Sequence, residues 1–127
     1  MIYDMLEAEG YKVKFYRDSH DGKEPVLEYI DKLDVKNKAK VLKYVEFLRE
    51  HKGYLDEPYS KHITGKIREL RVDFARNRHR IFYFTFVGKK IILLHAFLKK
   101  TNKIPALEIK KAVENYNDTI NNPKFYE

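Results

Sequence analysis

The chain contains no cysteine, so neither a disulfide framework nor thiol chemistry is open to it. No apolar run approaches the roughly 20 residues of a membrane span. The first residues, MIYDMLEAEG, carry acids where a secretory signal would be basic, and no apolar stretch follows them. These absences lead us to expect a cytoplasmic protein. Glycine is scarce, and no glycine-rich loop precedes a helix, which argues against a phosphate cradle. The five histidines (His20, His51, His62, His79, His95) lack a paired helical spacing, which argues against zinc. Ser19 and Ser60 sit among turn residues rather than in a nucleophile setting. We therefore expect no metal and no cofactor.

Acids are also scarce in one particular stretch. Between Lys61 and Lys103 there are 12 Lys or Arg residues and only two acids, Glu69 and Asp73, a net of +10. The whole chain is +7, so everything outside that stretch is net acidic. A concentrated basic stretch suggests a polyanion, most simply RNA or DNA. Length sets the scale: 127 residues make one domain, able to bury about two-thirds of its unfolded surface without staples.

Periodicity places the basic stretch on a sheet. Residues 11–17 alternate and read as a strand, and DSHDG (18–22) reads as a turn. Pro25 suits the first turn of a helix to about Leu33. Asp34 can cap a second helix over about 36–51, with Ala39, Leu42, Val45 and Leu48 as its apolar stripe. Residues 66–74, 78–86 and 90–98 read as a meander of three strands, joined by Arg76-Asn77 and Gly88-Lys89. The last strand, KIILLHAFL, is apolar nearly throughout, as expected of a central strand covered on both faces. Pro105 opens a final helix with Ile109, Val113, Tyr116 and Ile120 on one stripe, and the tail after Asn121 is expected to be loose. Helices segregated from a mostly antiparallel sheet make an α+β fold.

Strand alternation puts Glu69 and Arg71 on one face of the sheet and Leu70, Val72 and Phe74 on the other. Arg80 is in register with Phe82 and Phe84, so it is half buried and needs an anion or carboxylate. Glu69 is the acid nearest to hand in the sequence. Lys99 and Lys100 follow directly on the apolar strand. His79 and His95 lie on neighbouring strands, where they could meet or simply be ordinary strand residues.

Taken together, GKIRELRVDFARNRHRIFYF and LLHAFLKKTNKIP resemble the RelE/ParE toxin superfamily, in its phage-derived HigB-like branch. The matching elements are Leu70-Arg71, the stretch from Arg80 to Tyr83, and the LHxFxKKxxxxP block from Leu94 to Pro105. The resemblance implies a small toxin of a type II toxin–antitoxin system that cuts mRNA in the ribosomal A site. It also implies a HigA-like helix-turn-helix antitoxin, in a heterotetramer of two toxins and two antitoxins. The chemistry it implies is attack of a ribose 2′-hydroxyl on the adjacent phosphate. By the same resemblance Arg71, Arg80 and Lys99 or Lys100 are the electrostatic groups. Glu69, Tyr83, His79 and His95 are left as candidates for proton transfer or orientation, since the RelE C-terminal tyrosine has no counterpart here. Lys61, Lys66, Arg68, Arg78, His79 and Lys103 are expected to dock the RNA backbone, with Arg76, Lys89 and Lys90 as further docking groups. Two other classes share parts of this pattern: a ParE-like inhibitor of DNA gyrase, and a nucleic-acid-binding domain without catalysis.

Overall fold

The computed structural model describes residues 10–127. The chain runs β1 (Lys12–Phe15), α1 (Pro25–Asp31), α2 (Val35–Glu50), β2 (Ser60–Thr64), β3 (Ile67–Phe74), β4 (Asn77–Phe86), β5 (Lys90–Leu98), α3 (Ala106–Asn121) and a 3₁₀ turn (Pro123–Tyr126). The acidic start falls on residues 1–9 and lies outside the described residues. Among the described residues no helix is long and apolar enough to cross a membrane.

The five strands form one sheet in the order β1-β5-β4-β3-β2. β1 runs parallel to β5, and all other pairings are antiparallel. The expected α+β class is what the structure shows. Alternation along the strands divides the core in two. Leu70, Val72, Ile81, Tyr83, Ile91 and Leu93 pack with Val26, Ile30, Val41, Val45 and Leu48 of the helical pair α1–α2. Ile67, Phe82, Phe84, Ile92 and Leu94 pack on the opposite face with Ala112 of α3 and Tyr126. β5 therefore feeds both cores, as its unbroken apolar run implies.

One irregularity re-aims a side chain. The β4–β5 register slips between Phe82 and Tyr83, which pair with His95 and Leu93, so Leu94 has no partner. Such a bulge flips the alternation beyond it. Leu94 and His95 consequently both serve the α3 face, and Phe97 follows on that face two residues later.

Several expectations are corrected. β2 was not anticipated, because SKHIT is polar on both sides; it is an edge strand with Lys61 and His62 exposed. The β3–β4 turn is Ala75-Arg76, not Arg76-Asn77: Phe74 pairs with Asn77, and both turn residues have positive φ (49° and 69°). That is the two-residue hairpin geometry whose twist matches the strands. The buried stripe of α2 is Asn37, Val41, Val45 and Leu48, while Ala39 and Leu42 are exposed. The helix is turned to carry Asn37 inward, where its Oδ1 accepts hydrogen bonds from the β3–β4 hairpin. In α3, Ile120 is exposed and Thr119 takes the buried position. The end of the chain is not loose. Tyr126 is 2 % exposed, and its hydroxyl accepts from the Arg17 backbone N–H at 3.0 Å.

Candidate functional site

α3 covers only part of its sheet face. Beyond it, the ends of β3, β4 and β5 bring charged side chains into register. Arg71 pairs with Arg80, and Arg80 with Phe97; one row away Glu69 pairs with Phe82, and Phe82 with His95. A third row sets Asp73 beside Arg78, whose carbonyl accepts from Lys99 N–H at 2.8 Å. Strand alternation, already visible in the RELRVD segment, is what collects these groups on one face.

The Glu69 carboxylate is fully buried. Its Oε1 accepts from Arg71 Nε at 2.7 Å, and Arg71 is itself half-buried. Its Oε2 has no hydrogen-bond partner, and 3.9 Å away Arg80 Nε, also buried, has none either. Arg80 is held at its other edge, where Nη1 donates to Asp73 Oδ1 at 2.6 Å and to the His79 carbonyl at 3.0 Å. Glu69 is an ion-pair partner of Arg80, as expected, and Asp73 is a second carboxylate that the sequence reading did not name, hydrogen-bonded to it directly. The signal was available, since Asp73 follows Glu69 and Arg71 at strand spacing. Lys99 completes the cluster. Its ammonium is held below the ordinary lysine value by partial burial and then by the Arg80 guanidinium, with Glu69 opposing.

A buried ion pair leaves every unmatched lone pair and N–H as a cost unless something satisfies it. Here the unmatched pair is one carboxylate oxygen and one guanidinium N–H, facing each other. Both atoms are sealed from solvent, so the cost stays inside the fold. Around them Arg71, Arg78, Arg80 and Lys99 outnumber Glu69 and Asp73, an excess of positive charge that suits an anion.

His95 lies at the margin of this face, beside Phe82 and stacked on Phe97 at 5.9 Å. Its Nε2 reaches the Glu108 carboxylate of α3 at 3.3 and 3.4 Å. Burial pushes the imidazole below its ordinary value while Glu108 pulls it back up. Glu108 is a site residue that sequence reasoning missed, because the contact depends on the bulge at Leu94.

Other expected site residues fall elsewhere. Tyr83 is fully buried in the α1–α2 core, with its hydroxyl 2.7 Å from Ser60 Oγ, and burial raises its pKa. Arg68 donates to Ser60 Oγ and to the Leu55 carbonyl and lies over the Tyr54 ring, so it supports that same core. His79 does not meet His95; it points to the opposite face. There its Nδ1 meets Tyr29 Oη at 2.7 Å and its Nε2 meets Asn37 Oδ1 at 2.8 Å. Lys61, paired with Glu69 across the β2 edge, shares the cluster's face. Lys66 is exposed in the β2–β3 turn, away from the cluster, and Lys100 and Lys103 are exposed in the β5–α3 loop. Among the described residues no group of His, Asp and Glu is arranged to hold a metal ion.

A family model described as "Phage derived protein Gp49-like (DUF891)" matches residues 28–117, which includes all the residues of the cluster. That family is associated with RelE-like toxins of toxin–antitoxin systems. No curated protein matches the sequence.

Proposed function

Because the chain belongs to the Gp49-like family of phage-derived proteins, whose association is with toxins, we propose that it is the toxin of a type II toxin–antitoxin pair and an endoribonuclease acting on ribosome-bound mRNA, in the HigB-like manner. The observation that carries this reading is the cluster of Arg71, Arg78, Arg80 and Lys99 gathered around the buried Glu69 carboxylate at the end of the sheet that α3 leaves uncovered. A phosphodiester supplies the anion that this excess of positive charge lacks.

In the reaction, the 2′-hydroxyl gives its proton to Glu69 as its oxygen attacks phosphorus. Arg80 and Arg71, with Lys99, bear the charge that builds on the phosphoryl oxygens. Such donors act most strongly on charge that appears in the transition state. The 2′-oxygen–phosphorus bond forms, the phosphorus–5′-oxygen bond breaks, and the products are a 2′,3′-cyclic phosphate and a free 5′ end. Lys61, Lys100 and Lys103 lie around the site as non-specific holds on the RNA backbone.

An antitoxin partner follows from the family's association. We take it to be a HigA-like helix-turn-helix protein in a complex of two toxins and two antitoxins. The test is to express the chain in a translating extract and map mRNA ends by primer extension. New ends within coding regions, absent with Arg80→Ala, are expected. An intact message together with inhibited gyrase supercoiling would instead identify a ParE-like inhibitor.

A further inference from the structure

The sheet has two edges, and they differ. β2 is mostly polar, and its pairing with β3 is broken by a register shift between His62 and Thr64. An irregular polar edge discourages further pairing. β1 pairs with β5 in an unbroken parallel register. Lys12 N–H donates to the Lys89 carbonyl at 3.0 Å, and Tyr16 N–H to the Leu93 carbonyl at 2.9 Å. Backbone groups alternate in direction along a strand, so the N–H and C=O of Val13 and Phe15 point out of the sheet. No described strand lies against that edge.

The side chains on the two faces of β1 are opposite in character. Register with Ile91 and Leu93 sets Val13 and Phe15 on the α1–α2 face, where they are only partly buried. Between β1 and α2 runs a groove of about 850 Å³, lined by Tyr11, Val13, Phe15, Leu42 and Val45 among others, and Leu42 is exposed in it. On the other face Lys12 and Lys14 stand beside Lys90 and Ile92. Neither Lys12 nor Lys14 is in an ion pair among the described residues. A strand laid on this edge meets apolar surface with every second residue and ammonium groups with the residues between. A second copy of β1 does not fit, because two-fold antiparallel pairing brings Lys12 and Lys14 of one chain against those of the other.

We propose that the open edge of β1 is a docking site for an extended segment of a partner protein whose side chains alternate between apolar and acidic. The segment adds a strand to the five-stranded sheet. Its main chain bonds the outward groups of Val13 and Phe15. Its apolar side chains enter the groove against Leu42 and Val45, and its carboxylates pair with Lys12 and Lys14. In this mode of recognition the backbone bonds supply affinity and the alternate side chains supply specificity. β5 and β4 separate this edge from β3, so the site is distinct from the Glu69–Arg71–Arg80 cluster and independent of the nuclease reading.

The test uses the full chain and two fluorescein-labelled peptides, one alternating isoleucine with glutamate and the other isoleucine with lysine. Fluorescence anisotropy should show the glutamate peptide binding roughly tenfold or more tightly than the lysine peptide. Amide hydrogen exchange at Val13 and Phe15 should slow when it binds. Lys12→Glu combined with Lys14→Glu should reverse the preference between the peptides, and Leu42→Asp should weaken the glutamate peptide. If circular dichroism shows the charge-reversed variant unfolded, Lys12→Gln combined with Lys14→Gln should remove the difference between the peptides. Equal binding of both peptides by the wild-type chain, binding of neither, or slowed exchange confined to other residues overturns the site. A dimer of the chain alone that slows exchange at Val13 and Phe15 makes a second copy the occupant and overturns the proposal as well.

Discussion

Glu69 Oε2 and Arg80 Nε face each other across 3.9 Å in the interior, and neither has a hydrogen-bond partner. Folding has placed a carboxylate and a guanidinium together without letting them satisfy one another. If Glu69 takes the 2′-hydroxyl proton, Glu69→Gln should lower single-turnover cleavage about 10²- to 10⁴-fold, while an RNA with a 2′-deoxy ribose at the scissile position binds as before. Arg80→Ala should cost roughly 10²–10³ in rate. Equal losses of binding and cleavage in Glu69→Gln would mean that the carboxylate only orients Arg71.

Asp73 is mostly exposed (62 %) yet holds the outer edge of Arg80 at 2.6 Å. That edge is one that a phosphate would use, so Asp73 competes with RNA. Asp73→Asn should tighten binding to uncleavable RNA. It should also steepen the slope of log affinity against log salt by roughly 0.7, the value for one more phosphate contact on a single strand. Weaker binding would mean that Asp73 serves Arg80 by orienting it.

His79 gives a pH signature in stability. Burial, and next the Arg80 charge, hold its folded pKa below the ordinary value near 6.5. The unfolded chain therefore takes up a proton first as pH falls, and stability present above about pH 6.5 is lost as pH drops through the folded value. His95 acts with the same sign. Thermal melts should show Tm falling between about pH 7 and 5, with a shallower fall in His79→Gln. An unchanged slope would place the acid sensitivity elsewhere.

The two-residue turn of the β3–β4 hairpin uses Ala75 and Arg76 in the left-handed region, where a Cβ is unfavourable. Asn-Gly is the sequence that such a turn prefers. Replacing Ala75-Arg76 by Asn-Gly should raise unfolding free energy by roughly 1–2 kcal/mol, read from the denaturant midpoint. A lower midpoint would show that the Arg76 side chain contributes more than its backbone costs.

How much of this was legible in the sequence depended on how local the signal was. The division of Leu70 and Val72 from Glu69 and Arg71 is a property of one strand, and it held. The double coverage of β5 could be read from its unbroken apolar run. Contacts set by distant partners could not be read this way. The phase of α2 depends on Asn37 meeting Asn77 and His79, some forty residues on. Tyr126 is buried because Arg17 and the α3 core receive it. Glu108 reaches His95 only because a bulge, invisible in KIILLHAFL, turns that ring toward α3. In the cluster, Arg71, Arg80 and Lys99 were anticipated, whereas Asp73 and Glu108 came from the geometry.

The central claim is that the Glu69–Arg71–Arg80 cluster works on a phosphodiester and its 2′-hydroxyl. The most direct measurement is cleavage of a ribosome-bound mRNA by the wild-type chain, with and without a single 2′-deoxy ribose at the A-site codon, analysed by end chemistry. The account predicts a cut with a 2′,3′-cyclic phosphate on the ordinary mRNA and none on the deoxy one. Cleavage of both messages, or of neither, would contradict it.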